Sequence, residues 1–325
     1  MKKIFITGGT GFIGSHIVAH FSNNNDYEVY ALVRDPDNLK WLKDSDIHVL
    51  KGDLFSIPSL PAQIDYVIHS AGCTKTNKLG DYTKINRDGT RRLFESLSSQ
   101  RISPKKIIYM SSLGVTGPSL KDEPIKETHT PCPLTPYAES KLQGEEEALK
   151  FKDEFTVIIL RPGGVFGPRD TDFLHLFRSI KKGILPAIDS NQRLASIIYV
   201  NDLVYTVELC LQKDIQSGEI FNIVNPQPYS WDEFGYITSQ ILNIKLKKVI
   251  ISYPIAFLIA SFSQIMSKFR KNPSIIDTNK LKELNKNCWV ANCGKAVTQL
   301  GFQPQYSLKE AIQETLNWYQ GQGWL

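Results

Sequence analysis

Seven short runs rich in β-branched and other apolar residues punctuate the first two-thirds of the chain, at residues 3–7, 28–33, 48–51, 66–70, 106–111, 156–161 and 219–224. Several are apolar almost throughout rather than alternating, the pattern of strands covered on both faces of a parallel sheet. Between them, helical spacing of apolar positions marks residues 11–22, 82–98 and 137–151. Strand and helix taking turns in this way predict an α/β fold, a Rossmann-type doubly wound parallel sheet with helices on both sides. After Gly167 the alternation loosens into turns, helices and short strands. The pattern therefore predicts a sheet domain over residues 1–167, rejoined by the run at 219–224, and a smaller C-terminal lobe built mainly from 168–218 and 225–325. Such a lobe would lie over the carboxyl ends of the strands, where open α/β sheets bind ligands.

One long apolar segment, residues 249–266, is interrupted by Pro254 and four serines. From Ile255 its apolar positions 255, 258, 259, 262, 265, 266 and 269 recur at helical spacing, with Ser261, Gln264 and Lys268 on the other side. A membrane span is apolar all round for about 20 residues, so an amphipathic helix over 255–269 is predicted instead and no transmembrane span.

Composition changes this picture little. The 325 residues are 42% hydrophobic and 22% charged, ordinary for a globular protein. The net charge of +5 is scattered, which argues against a nucleic-acid partner. Five cysteines, at 73, 132, 210, 288 and 293, lack metal spacing and fit reduced thiols, and the six histidines form no metal constellation. The start, MKKIF, is too short in apolar residues for a signal peptide, so a cytoplasmic location is expected.

Chemistry enters with IFITGGTGFIGSH, residues 4–16. A strand, a glycine turn and a helix starting near Gly11 make a phosphate seat, because backbone N–H groups and the helix N-terminus face the ligand. Gly8 takes the tight turn, Gly11 admits a phosphate to the main chain, and Gly14 lets helix and strand pack closely; Phe12 and Ile13 belong to the same seat. The domain over 1–167 is accordingly read as dinucleotide-binding, and the later lobe as substrate-binding. At the end of the second strand an NAD site usually offers a carboxylate to the ribose. Here Val33 holds that slot and Arg34 follows, a side chain suited to the 2′-phosphate of NADP, while Asp35 comes one or two positions late. NADP(H) is favoured over NAD(H).

Tyr137 and Lys141, in PLTPYAESKLQGEEEAL, stand four residues apart and so share one helical face. A tyrosine is a poor proton carrier near neutrality, and an adjacent ammonium lowers its pKa. That pair suits carbonyl reduction or alcohol oxidation, in which one proton accompanies each hydride. About 25 residues upstream, IIYMSSLGVTG ends a strand in hydroxyls at the sheet edge. Ser111 and Ser112 cannot both face the site; Ser112, just past the strand, is the one expected to bond a substrate oxygen. Glu145, Glu146 and Glu147 are expected to form a solvated helix face without chemistry.

With TGGTGFIG (7–14), GDL (52–54), HSAG (69–72), Ser112, YAESK (137–141) and LRPGGVFGP (160–168) in order, the chain resembles the extended short-chain dehydrogenase/reductase family, within the NAD-dependent epimerase/dehydratase superfamily. The resemblance implies catalytic roles for Ser112, Tyr137 and Lys141, with Lys141 also on the nicotinamide ribose. It implies Gly8, Gly11 and Gly14 at the pyrophosphate, Asp53 and Leu54 at the adenine, Ala71 and Gly72 along the dinucleotide, and Pro162 and Gly163 near the nicotinamide. Asn86, in KINRDGT, matches a family asparagine that assists the lysine. VRDP after the second strand is similar to dihydroflavonol-reductase and 3β-hydroxysteroid-dehydrogenase-like members. Nucleotide-sugar members usually carry an arginine seven residues before the aspartate of a motif that reads YVND here (199–202), where this chain has Ala195, with Arg193 two positions off.

These observations imply an NAD(P)-dependent oxidoreductase that interconverts an alcohol and a ketone on a small, largely apolar molecule. The alternatives are a nucleotide-sugar epimerase or dehydratase with retained NAD, and a non-catalytic dinucleotide-binding regulatory protein. The apolar face of helix 255–269 is expected to roof a hydrophobic substrate pocket; lobe packing and peripheral membrane contact are its other readings. The helices near 82–98 and 137–151 are expected to form the contact of a homodimer.

Overall fold

Each predicted strand forms within a residue or two of its expected bounds, and all seven join one sheet in the computed structural model. The model describes residues 1–119, 123–189, 193–268, 278, 281 and 288–325. Across the sheet the order is Glu219–Ile223, Val157–Pro162, Lys106–Met110, Tyr66–His69, Lys2–Thr7, Tyr27–Val33 and His48–Lys51, every neighbouring pair parallel. The chain lays its second and third strands on one side of the first, then crosses over to lay the fourth on the other. That reversal opens a crevice at the carboxyl ends of Lys2–Thr7 and Tyr66–His69.

Side chains alternate across each strand, and the two cores follow from that alternation. Ile4, Ile6, Ile68, Ile108 and Ile158 pack with Ile17, Val18 and Phe21 of helix Phe12–Ser22 and with Leu203 and Val207 of helix Val200–Gln212. Phe5, Val67, Ile107, Tyr109 and Ile159 point the other way, onto Leu93, Phe94 and Leu97 of helix Gly89–Ser99 and Ala148 of helix Pro136–Leu149. Truncating a fully buried phenylalanine such as Phe5 or Phe94 costs about 3–5 kcal/mol, so each layer is strongly held.

A third core gathers Phe166, Phe177, Phe234, Leu316 and Tyr319 from the later segments. It lies among helices Asp172–Lys181, Trp231–Leu242 and Leu308–Gly321. This part meets the glycine helix through a contact of 2.8 Å between His16 Nε2 and the Pro168 carbonyl. Trp41 adds edge-on contacts to Trp318 and Trp324 at 5.4 and 6.1 Å between ring centroids. Beside it a two-stranded parallel ribbon pairs Ile184–Ile188 with Lys247–Ile251 and leads into helix Tyr253–Lys268.

That helix corrects one expectation. Its apolar stripe of Ile255, Leu258, Ile259 and Phe262 is 55–68% exposed and faces away from the protein, so it roofs no pocket. The face turned inward carries buried Ala260 and half-buried Ala256, Ser263 and Gln264, small and polar residues that admit a close approach. Of the predicted segment, the side chains from Ile265 on and residue 269 lie outside the described ones. Among the described residues no helix is long and apolar enough to cross a membrane.

Candidate active site

The glycine loop closes on its own backbone before it meets any ligand. Gly8 has φ +77°, and a Cβ there would stand 2.5 Å from the Ala71 nitrogen; one on Gly14 would stand 2.2 Å from the Gly8 carbonyl oxygen. Both positions therefore exclude a side chain for internal reasons. Gly11 differs, since a Cβ there would meet only the Gly8 oxygen, at 3.2 Å, and its other side is open. Gly11 is also the N-cap of helix Phe12–Ser22, with no side chain capping that end. Uncapped N–H groups at a helix N-terminus beside an open main chain fit a pyrophosphate, so the loop is suited to the dinucleotide. Ala71 and Gly72, the predicted wall of that site, follow beside Gly8, and the Ala71 N–H donates to Thr7 Oγ1 at 3.3 Å.

Below that wall His69 ties two elements together. Its ring nitrogens lie 2.7 Å from Thr7 Oγ1 and 3.0 Å from Thr90 Oγ1, and burial pushes its pKa down to about 3. The ring is a neutral crosspiece rather than a proton carrier.

Lys141 reaches the same crevice from the opposite helix. Its Nζ is buried, donates to the Met110 carbonyl at 2.6 Å and lies 4.2 Å from the Tyr109 ring centroid. A Cβ on Gly72 would stand 3.9 Å from that Nζ and 3.2 Å from Asn86 Oδ1, so lysine and asparagine both flank the predicted dinucleotide wall. Desolvation lowers the Lys141 pKa to about 7, against a raising pull from Glu145. Asn86 sits in the π-helical turn Lys84–Asp88. It accepts the Cys73 N–H at 2.7 Å and donates to the Cys73 carbonyl and to Ser140 Oγ at 3.0 and 2.9 Å, fixing the loop after Gly72 to helix Pro136–Leu149.

Tyr137 stands in the first turn of helix Pro136–Leu149, which begins with Thr135 accepting the Ala138 N–H and with Pro136 just inside, a favoured N-terminal pairing. Tyr137 is half-buried, its ring 6.1 Å and edge-on from Tyr82. Burial raises the pKa of Tyr109, whose ring Lys141 covers. The two strand-end serines differ in their surroundings. Ser111 is buried and donates to Glu145 Oε1. Ser112 is half-exposed and accepts the Gly114 N–H at 3.1 Å. Accepting uses a lone pair and does not engage the Ser112 hydroxyl proton.

The remaining predicted cofactor positions lie at or just past the ends of strands. Arg34 is exposed just past buried Val33, and the Asp35 carboxylate accepts the Asp37 N–H at 3.3 Å. Asp53 closes a tight turn by accepting the Phe55 N–H at 2.8 Å, and Leu54 packs under Gly89. Pro162 ends its strand, and a Cβ on Gly163 would stand 2.3 Å from the Ser196 carbonyl.

The glutamates are a second correction. Glu145 is buried, and its carboxylate takes a two-pronged contact from Arg161, Nε at 2.9 Å and Nη2 at 2.6 Å. Glu147 is also mostly buried. The spacing held the signal, since 137, 141 and 145 share one face, and an arginine inside an apolar strand needs a partner. A further arginine carries no signal in the sequence pattern. Arg169, at φ +71°, lies over the Trp41 ring at 5.7 Å with Nη1 buried.

Residues 4–224 match the model of the NAD dependent epimerase/dehydratase family. Among curated relatives, the chain is 26% identical to a ceramide reductase from Caulobacter vibrioides, over 99% of this chain and 96% of the relative. It is 28% identical to a decarboxylating sterol-4-alpha-carboxylate 3-dehydrogenase from Candida albicans, over 98% and 97%. Among solved structures, the UDP-glucuronic acid 4-epimerase of Bacillus cereus with NAD superposes with a TM-score of 0.78 at 22% identity, over 98% of this chain and 99% of that one. With the family match covering more than half its length, the chain belongs to the NAD dependent epimerase/dehydratase family, enzymes of the extended short-chain dehydrogenase/reductase type that use a nicotinamide dinucleotide.

Proposed function

We propose that the chain interconverts an alcohol and a ketone on a largely apolar, lipid-like molecule, with NADP(H) in preference to NAD(H). The observation that carries this reading is the Lys141 ammonium, buried between the Met110 carbonyl and the Gly72 wall, one turn along the helix from Tyr137. The bound dinucleotide supplies or takes up the hydride. Tyr137 gives its phenol proton to the carbonyl oxygen in reduction and takes it back in oxidation. Lys141, when charged, favours the phenolate and lowers the cost of that transfer. Ser112 donates to the same oxygen, and Asn86 keeps the Lys141 helix and the loop after Gly72 in register.

The substrate class is supported by the ceramide and sterol relatives, each similar over nearly the whole chain. It is supported too by Ala195, at the position where nucleotide-sugar members place an arginine; Arg193 lies mostly buried, 3.9 Å from Asp189. A sugar-nucleotide diphosphate without a cationic clamp binds weakly. The cofactor preference is supported by Arg34 standing exposed where the ribose carboxylate of an NAD site would be. Ser112, Tyr137, Lys141 and the cofactor set Gly8, Gly11, Phe12, Ile13, Gly14, Arg34, Asp53, Leu54, Ala71, Gly72, Pro162 and Gly163 constitute the proposed site. A homodimer across helices Gly89–Ser99 and Pro136–Leu149 completes the reading.

The test is Tyr137→Phe, assayed on a panel of long-chain and polycyclic ketones beside UDP-sugars, with NADPH and NADH titrated separately by fluorescence. Turnover of an apolar ketone should fall by at least about a hundredfold, with NADPH affinity unchanged and NADPH bound more tightly than NADH. Wild-type turnover confined to UDP-sugars, or an active Tyr137→Phe enzyme, overturns it.

A further inference from the structure

Helix Tyr253–Lys268 breaks the usual rule for a water-facing helix, which shows polar residues outward and apolar ones inward. Ile255, Leu258, Ile259 and Phe262 follow one another at three- and four-residue spacing, forming a single exposed stripe. Phe257, further round, is partly exposed as well. Among the described residues no other helix exposes more than one large apolar side chain. Ile250 and Ile184, on the ribbon that leads into the helix, extend the exposed apolar surface.

Charge around this surface has one dominant sign. No carboxylate occurs between Glu233 and Asp277 in the sequence. Lys181, Lys182, Lys245, Lys247 and Lys248 are all exposed near the far end of the ribbon. Backbone pairing sets the two groups side by side, since the Lys247 N–H donates to the Gly183 carbonyl at 2.8 Å. Lys248 is paired with Asp232, and the Asp189 carboxylate, which accepts the Tyr253 N–H at the start of the helix at 3.2 Å, lies 3.9 Å from Arg193, which leaves the other four lysines dominant.

An apolar helix stripe continued by a lysine-bearing ribbon, with no acid in the sequence between Glu233 and Asp277, matches an anionic bilayer, not a neutral apolar partner. We propose that the stripe of helix Tyr253–Lys268 seats this protein on an anionic lipid surface, with the ribbon lysines against the headgroups. Seated there, the enzyme would meet lipid-like substrates where they reside. The docking itself rests on exposure and charge, not on the chemistry at Tyr137.

The experiment is flotation of the full chain with phosphatidylcholine vesicles, with and without about 30% phosphatidylglycerol, at low and high salt and without substrate. Wild type should bind the anionic vesicles about tenfold more tightly than the neutral ones, and salt should weaken the difference. Ile255→Ser/Leu258→Ser/Phe262→Ser should lose binding by more than about tenfold while its circular dichroism and NADPH affinity stay unchanged. Lys181→Gln/Lys245→Gln/Lys247→Gln should retain residual binding but lose the preference for anionic lipid. Absence of vesicle binding overturns the proposal, as does equal binding by the serine variant. A dimer in sedimentation that the serine variant dissolves, without lipid binding, assigns the face to a second copy and also overturns it. None of these outcomes bears on ketone turnover in solution, so failure here leaves the proposed reaction standing.

Discussion

Along helix Pro136–Leu149 two charged side chains, Lys141 and Glu145, are 4% and 2% exposed, whereas along helix Tyr253–Lys268 Leu258 and Phe262 are 68% and 67% exposed. Both helices are legible in the sequence from the same kind of periodicity. What differs is the surface each one meets. The first lies on a sheet whose strand ends present an unpaired need: Arg161 within an apolar strand, Ser111, and the Met110 carbonyl. Charges on that helix are drawn inward because partners wait there. The second turns alanines and serines inward, and its bulky Ile255, Leu258, Ile259 and Phe262 stand largely exposed. Periodicity names a face; the neighbour decides which way that face turns.

The sharpest way to break this contrast is to remove a buried charge. Glu145→Ala leaves Arg161 in a dry site without its carboxylate, and losing one member of a buried pair costs about 3–5 kcal/mol. Chemical denaturation should show that loss, against no more than about 0.5 kcal/mol for the same change at exposed Glu139 on the same helix. A cost near that of Glu139→Ala would mean that Glu145 is a surface residue after all. Glu145→Ala/Arg161→Met should recover much of the loss, because an apolar replacement of the whole pair removes the stranded charge.

Glu145 also marks how far the sequence could be read. The seven strands were legible because residues buried on both faces leave near-continuous apolar runs, and the glycine cradle because Gly8 and Gly14 have no steric alternative. The separation of Ser111 from Ser112 followed from alternation at a strand end. Glu145 was misread because three consecutive glutamates look like a solvated face, and only the arginine sixteen residues later in the chain reveals otherwise. Helix Tyr253–Lys268 was misread for the converse reason: its apolar stripe is correct, but no local pattern states that the inward surface is already filled. Trp41 and Arg169 touch across a long sequence separation, which no window of periodicity spans.

A second test uses the proton on Lys141. Burial lowers its pKa to about 7 in the fold, while the unfolded chain holds that proton up to about 10.4. Between those values the unfolded state binds more protons, so the Lys141 contribution to stability rises with pH and is lost as pH falls towards 7. Lys141→Met removes the dependence. Melting curves should therefore show wild type gaining on the variant by a few degrees between pH 7 and pH 10. The variant should meanwhile lose turnover and shift its oxidation profile to alkaline pH, since the Tyr137 phenol has lost its cation. A pH-independent difference in melting would place the ammonium in water and remove the buried side of the contrast.

The smallest effect lies at the other pole. A leucine in a protein interior costs several kcal/mol to truncate, but Leu258 already stands in solvent, so Leu258→Ser should change the stability of the free protein by no more than about 0.5 kcal/mol. The sign is informative. A core leucine always loses on this change, whereas an exposed one has no packing to lose and trades apolar surface for a hydroxyl that water accepts. Denaturation in vesicle-free buffer measures it. A loss above about 2 kcal/mol would show that the stripe is covered in solution by the chain itself or by a second copy, and the inverted helix would then be an ordinary one.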